Sequence, residues 1–319
     1  MAVAERAAVA LPARKERSPW GDAVYQLTRN RVAVASGIFI ITLVLLALLA
    51  QVISPYTYYE TRVIDNYMRP GSKYLLGADS LGRDMLSRTI YGIRVSLSVA
   101  VVAATVSLII GIVYGLAAGY FGGRVDEVMM RLVDFLYGLP VIIMVILLQV
   151  YFKALGRRAA ATGLSALLIQ ADLAMGGLLF IFIAIGALNW IGMARITRGQ
   201  TLSYKEKDFV MAARAVGVGP IGIIFRHLLP NILGPCVVQE TLQIPGYILL
   251  EAFLSFIGLG VNPPTPSWGI MIQEGYQAIR SYPHVLLGPA LALTLTVLAF
   301  NFLGDGLRDA FDPVMRGTT

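Results

Sequence analysis

The sequence predicts an all-α integral membrane protein with about six transmembrane helices and no soluble domain of any size. Three observations lead there. Of the 319 residues, 57% are hydrophobic, and the mean hydropathy is +0.70. Charged residues make up 14%, against roughly 25% in ordinary soluble domains. Apolar runs close to the about 20 residues that cross a bilayer recur along the chain.

Taken in order, the first span reads Val32 to Ile53, ended by Ser54-Pro55. The second reads from about Arg94 to Ala118, the third from about Leu132 to Phe152, and the fourth from Leu173 to Ala194. The fifth covers about Gly234 to Gly260 and the sixth about Val285 to Leu303. A weaker run, Ala159 to Ile169, is too short to span alone, and is expected to lie at the interface or to extend the fourth helix. Before the first span, Ser18-Pro19 reads as an N-cap and first-turn proline, and Trp20, Val24 and Leu27 repeat at helical spacing. That pattern predicts a short amphipathic helix on the membrane surface; the alternative is a frayed extension of the first span. The N-terminus lacks the form of a cleavable signal peptide, because its first apolar run is too long.

Charge sets the orientation. With the N-terminus inside, the inside segments 1–31, 119–131, 195–233 and 304–319 hold 16 of the 26 Lys and Arg residues, which favours N-in and C-in. The same rule accounts for the net charge of +7 without nucleic-acid binding, since no basic stripe is interleaved with aromatics. One cysteine, Cys236, excludes an intrachain disulfide and a Cys-rich metal site. No lysine follows a glycine, so there is no nucleotide-binding P-loop, and no Ser/His/Asp or metal-ligand constellation stands out. The expectation is a non-enzymatic chain without a cofactor of its own.

Two further features carry information. Gly111, Gly115 and Gly119 recur at four-residue spacing in the second span, a small-residue face that lets another helix approach closely. The long inside loop is itself structured. Asp208 to Val216 reads as a helix with Phe209, Ala212, Ala213 and Val216 on one face. Gly217-Val-Gly-Pro220 breaks it, and Ile221 to Leu229 reads as a second short helix stopped by Pro230. Helices this short need a partner surface, either the ends of the spans or another protein.

This loop, Asp208-Phe-Val-Met-Ala-Ala-Arg-Ala-Val-Gly217 followed by Ile224-Phe-Arg-His-Leu-Leu-Pro230-Asn231, resembles the EAA loop of ABC-importer permeases. Met211 stands where that pattern usually has Glu, and His227 where it has Ile, although Arg226-His227 before Leu-Pro suits the peptide-importer branch. Other stretches resemble the C-type permease of oligopeptide and dipeptide importers: Leu76 to Arg88, Ala118-Gly-Tyr-Phe-Gly-Gly123, Ala194 to Leu202, Glu251 to Gly260, Ser267-Trp268-Gly269 and Gly304 to Pro313. Together they cover nearly everything after residue 20; Lys153 to Asp172 departs from the pattern and reads as an outside insertion.

The resemblance implies a type I importer permease with residues 201–231 as the element that docks on an ATPase. It marks Asp208, Ala212, Ala213, Arg214, Gly217, Arg226, His227, Leu229 and Pro230. It implies a homologous second permease, two cytoplasmic ATPase subunits that carry ATP and Mg, an extracytoplasmic peptide-binding protein, and residence in the cell inner membrane. The implied organisation is a cytoplasmic segment 1–31, a first span 32–53, an outer loop 54–92, a core 93–306 and a tail 307–319. The alternatives are a permease for nickel or a metal chelate, and an ATP-independent secondary transporter. Asp134, Glu240 and Glu251 bear on the last, because an ionisable group within a span is a functional candidate. Asp134 is expected near the cytoplasmic interface with Arg131 as a partner. Glu251 is expected in a structural hydrogen bond, and Glu240 is the best pathway candidate, with a structural role as its alternative.

Overall fold

The computed structural model describes residues 19–156 and 163–311, which are helical or in short connections, with no strand among them. Five helices are long and apolar enough to cross a membrane: α2 (Arg31–Leu48), α3 (Met85–Phe121), α7 (Leu179–Lys205), α9 (Pro220–Phe256) and α11 (His284–Phe311). A bent pair, α4 (Gly123–Tyr137) and α5 (Val141–Gly156), makes a sixth when it is counted as one span. Shorter helices are α1 (Pro19–Arg29), α6 (Leu164–Ala174), α8 (Asp208–Ala215) and α10 (Trp268–Gln277). The chain is thus an integral, multi-pass, all-α protein.

α1 is a helix in its own right and not an extension of the first span. Asn30 separates it from α2, and its side-chain Oδ1 accepts the N–H groups of Val32 and Ala33 at 3.1 Å, a side-chain cap on the start of α2. Ala23 is buried and Val24 exposed; Ser18 and the side chain of Trp20 lie outside the described residues.

Several boundaries differ from the sequence expectation: α7 and α11 run on to Lys205 and Phe311, and α2 ends at Leu48. α3 begins at Met85, because Asp84 caps it by accepting the Ser87 N–H at 2.8 Å. The outer loop therefore ends earlier than residue 92, and α3 is about 55 Å long, well beyond a hydrocarbon core of about 30 Å. The third span is not one helix. Pro140 has no N–H and disfavours helical backbone at Leu139, and α4 and α5 meet at 80° across Gly138–Pro140. The fourth span starts at Leu179. Leu164 to Ile169 of the weaker apolar run before it begin α6, set apart by Gly176 and Gly177 at φ +68° and +87°; residues 159–162 lie outside the described residues. There Asp172 Oδ1 accepts the Phe180 N–H at 3.1 Å. Finally, the outer segment 261–284 is not plain loop, since it contains α10, capped by Ser267.

α3 lies at the centre. Its Val95, Val99 and Ala103 pack with Ile181 and Ile185 of α7 and with Tyr247 and Leu254 of α9. On another side, its Ile93 and Leu97 meet Leu43 and Ala47 of α2 and Phe300 of α11. The glycine face of α3 is pressed on α7. A Cβ at Gly111 would lie 2.5 Å from Met193 Cβ, at Gly115 2.5 Å from the Ala194 carbonyl oxygen, and at Gly119 2.8 Å from Thr201 Cβ.

The described parts of the segments assigned inside by their Lys and Arg content share one end of the bundle. Gly306 of α11 sits against Ala33 and Leu27, and Phe311 against Gly234 of α9. Thr197 of α7 hydrogen-bonds Cys236 of α9 at 3.4 Å, and Lys205 of α7 donates to the Gly119 carbonyl at 3.0 Å.

Candidate functional site

The inside loop departs from two separate short helices. α8 ends at Gly217, whose φ of +86° is the left-handed conformation that glycine adopts at low cost. The Val218 N–H bonds the Ala213 carbonyl and the Gly217 N–H bonds the Arg214 carbonyl, both at 3.0 Å, which is a Schellman ending. The second helix does not stop at Pro230. Residues Ile223–Leu228 form a π-turn, in which the Leu229 N–H reaches the Ile224 carbonyl five residues back. The wider turn gives the Pro230 ring room against the preceding carbonyls. The helix therefore runs unbroken from Pro220 to Phe256, and the loop's second arm is the end of the fifth span.

The loop's buried face also differs from the expected one. Val210 and Ala213 of α8 point inward, and Val210 joins Ile223, Leu228 and Ile232 over Ile112, Leu116 and Met193 at the ends of α3 and α7. Phe209, Ala212 and Val216 face outward with Ile221 and Phe225. Asp208, Arg214, Arg226 and Pro230 are exposed, and His227 and Leu229 are half-buried. The Arg214 guanidinium lies 5.9 Å from the centre of the Tyr120 ring, and the His227 carbonyl accepts Asn231 Nδ2 at 2.7 Å.

The break at Gly138–Pro140 leaves Asp134 on α4, exposed at the inside end, where it pairs with Arg195 of α7 at 2.5 Å; Arg131 pairs instead with Glu127 at 2.6 Å. Asp126 grips Arg198 through both oxygens, at 2.5 and 2.6 Å. These pairs strap α4 across α7, one bidentate and the other backed by Arg195 stacked 4.2 Å over Tyr137.

The two acids of α9 have separate surroundings. Glu251 is fully buried and accepts Ser255 Oγ at 2.6 Å and Ser96 Oγ of α3 at 3.1 Å, which ties α9 to α3. Glu240 is 4% exposed and accepts Tyr247 OH on one oxygen at 2.7 Å and Ser107 Oγ on the other at 3.1 Å. It lines a cavity of about 190 Å³ together with Asn189, Gln239, Gln243 and Tyr137. A second hollow of about 370 Å³ shares Val141, Asn189, Gln243 and Tyr247 with the first and continues past Leu249 to Phe253. The two form one groove with a polar end and apolar walls, at the break between α4 and α5.

At the opposite end is a buried charged cluster, mostly within the Leu76 to Arg88 stretch. Asp79 is fully buried. One of its oxygens accepts the N–H groups of Leu81 and Arg83 at 2.8 and 3.0 Å. The other accepts Arg83 Nε at 2.6 Å and Arg88 Nη1. Glu274 of α10 completes the square, 2.7 Å from Arg88 and 3.2 Å from Arg83. Nearby, Asp65 accepts Lys73 Nζ at 2.6 Å and Tyr74 OH at 2.8 Å. Those two bonds, the lysine's first, hold the Asp65 carboxyl below the usual carboxylate range, while burial and then the bond to Asp65 push the Tyr74 hydroxyl up to about 12. The spacing of Asp79, Arg83 and Arg88 is a sequence signal for one shared site, but Glu274 has no local signal.

Residues 107–317 match the family of binding-protein-dependent transport system inner membrane components. Residues 18–70 match the N-terminal transmembrane domain of oligopeptide transport permease C. The chain is 42% identical over 299 residues to the oligopeptide transport system permease protein OppC of Escherichia coli (strain K12), covering 93% of this chain and 92% of that one. It is 38% identical to OppC of Bacillus subtilis (strain 168) over 303 residues, 95% and 92% of the two chains. It is 40% identical to the dipeptide transport system permease protein DppC of the same organism over 296 residues, 92% and 86% of the two. With this span arrangement and this inside loop, the chain belongs to the family of binding-protein-dependent transport system inner membrane components, as a multi-pass permease subunit.

Proposed function

We propose that this chain is the transmembrane permease subunit of an ATP-driven importer of oligopeptides or dipeptides in the cell inner membrane. It pairs there with a homologous second permease and receives peptide from an extracytoplasmic binding protein. Two cytoplasmic ATPase subunits bind residues 201–231 and carry the ATP and Mg that this chain has no motif to hold. The observation that carries the reading is the geometry of the inside loop. Phe209, Val216, Ile221 and Phe225 are 41%, 80%, 73% and 63% exposed at the Lys/Arg-rich end of the bundle, an apolar surface that suits a partner protein.

The unbroken helix from Pro220 to Phe256 supplies the coupling. A push on its first turns passes directly into the fifth span, and the groove beside Glu240 and Tyr247 changes shape with it. The peptide relatives support the choice of substrate class.

The test is uptake of labelled peptide into proteoliposomes that contain the full complex and binding protein. Uptake is expected to require ATP at the ATPase side and to ignore a proton gradient; uptake that follows the gradient without ATP overturns the proposal. Within the same assay, Gly217→Val forces a β-branched residue into left-handed backbone at a strain of about 1–2 kcal/mol. A Cβ at this position meets nothing within 4 Å, so the strain acts only on the direction of the turn. Insertion and ATP hydrolysis are expected to persist while peptide moved per ATP falls several-fold. Unchanged stoichiometry removes Gly217 from the coupling role.

A further inference from the structure

We infer that the groove at Glu240 is a binding site for the ammonium group of a transported peptide, with the carboxylate as its counter-ion. The inference rests on the peptide-importer reading above and adds a specific contact to it. Glu240 is a carboxylic acid inside a span, where an ionisable group is costly and persists only when something compensates it. Its partners among the described residues are two neutral hydroxyls, Ser107 and Tyr247, one on each oxygen. A carboxylate has about four lone-pair positions, so each oxygen retains room for a further donor. No Lys, Arg or His lines the cavity, and among the described residues Glu240 has no ion-pair partner. The other acids are differently placed. Asp126, Asp134 and Asp79 are each satisfied by an arginine, and Glu251 is sealed between Ser96 and Ser255 with no exposure. Glu240 alone among these lines the cavity.

The surroundings suit the rest of a peptide. Asn189, Gln239 and Gln243 line the same cavity. Carboxamides carry both donors and acceptors, as a peptide backbone does, and select no particular side chain. Beyond them the groove turns apolar along Val141, Leu249 and Phe253. From Gln239 to Phe253 the helix rises about 21 Å, room for about six residues of extended chain. A fixed cation contact at one end, followed by amides and an apolar wall, recognises what all free peptides share.

The experiment measures peptide binding to the full permease–ATPase complex in nanodiscs, without binding protein and without ATP, so that neither capture nor hydrolysis enters. The probes are labelled tri-alanine, N-acetyl-tri-alanine, and an N-acetylated tripeptide with one lysine. Tri-alanine is expected to bind the unmodified complex about tenfold or more tightly than its acetylated form, the scale of one charge-assisted hydrogen bond. Glu240→Gln keeps the shape, turns one accepted hydroxyl bond into a donated one and removes the charge, and is expected to bind the two forms alike. Tyr247→Phe removes a hydroxyl and keeps the carboxylate, so the preference for the free amino group is expected to remain. Recovery of Glu240-dependent binding by the lysine peptide supports the ammonium site and assigns a side chain as an equal source of the cation. Equal binding of the free and acetylated peptides to the unmodified complex overturns the inference, as does a preference that survives in Glu240→Gln. Co-purification of the variants with the second permease and the ATPases shows that they are assembled. The importer reading fails by a different result, ATP-independent uptake.

Discussion

Gly115→Val is expected to prevent stable assembly of the helical bundle. The Cβ of any residue at position 115 would lie 2.5 Å from the Ala194 carbonyl oxygen, 2.6 Å from Thr197 Cβ and 2.8 Å from the Arg198 amide nitrogen. Two of these are backbone atoms of α7, so no rotamer change relieves the overlap and the helices themselves must separate. Overpacking of this kind typically costs about 1–3 kcal/mol per site, and valine adds two methyls beyond the first clash. The loss spreads, because Gly111 and Gly119 lie one turn away on the same face and close on Met193 and Thr201. Gly199→Ala on the facing helix is the control. Nothing lies within 4 Å of its Cβ, and alanine improves on glycine in a helix by about 1 kcal/mol. Thermal melting of the detergent-solubilised complex is expected to show a large drop for Gly115→Ala, no folded complex for Gly115→Val, and no loss for Gly199→Ala. A Gly115→Ala melt equal to the unmodified protein means that α3 and α7 do not pack as described.

Asp79→Ala is expected to release the outer loop at a cost of about 3–5 kcal/mol, the range for removing one partner from a buried ionic cluster. Asp79 satisfies four donors at once: the N–H groups of Leu81 and Arg83 and the guanidinium groups of Arg83 and Arg88. Without it, Arg88, which is 1% exposed, depends on Glu274 alone. Glu274→Gln is expected to do less, because Glu274 is partly exposed and glutamine still accepts a hydrogen bond. Melting reports the size of the loss, and limited proteolysis between residues 54 and 84 reports its place. A loss below about 1 kcal/mol, with no new cleavage, would mean that the cluster behaves as ordinary surface pairs do.

Three acids show how far local reading extends. Asp134, Glu240 and Glu251 look alike in sequence: single carboxylates in or beside apolar runs. The structure puts the first at the inside end with Arg195, closes the second over a groove, and seals the third between two serines. The separation depends on partners 61, 133 and 155 residues away. Hydrophobic periodicity carries no information about contacts at that distance. The helical loop was legible for the opposite reason. Gly217 and Val216 are neighbours of the helix they end, so the need for left-handed backbone shows locally. Its continuation past Pro230 was not legible, because the π-turn that accommodates the proline is a property of the packed helix.

The sequence by itself determined membrane residence, the number and order of the crossings, the glycine face of α3 and the presence of a structured inside loop. Each is a property of a short window of chain, set by the cost of moving those residues out of water or by the backbone freedom of one residue. Only the tertiary structure decided where α4 and α5 break. It also decided which loop residues remain uncovered, that the loop is one rod with the fifth span, and that Glu240 faces a groove while Glu251 does not. Those outcomes depend on how distant helices fit against each other, and a fit between surfaces becomes visible only when both are in place.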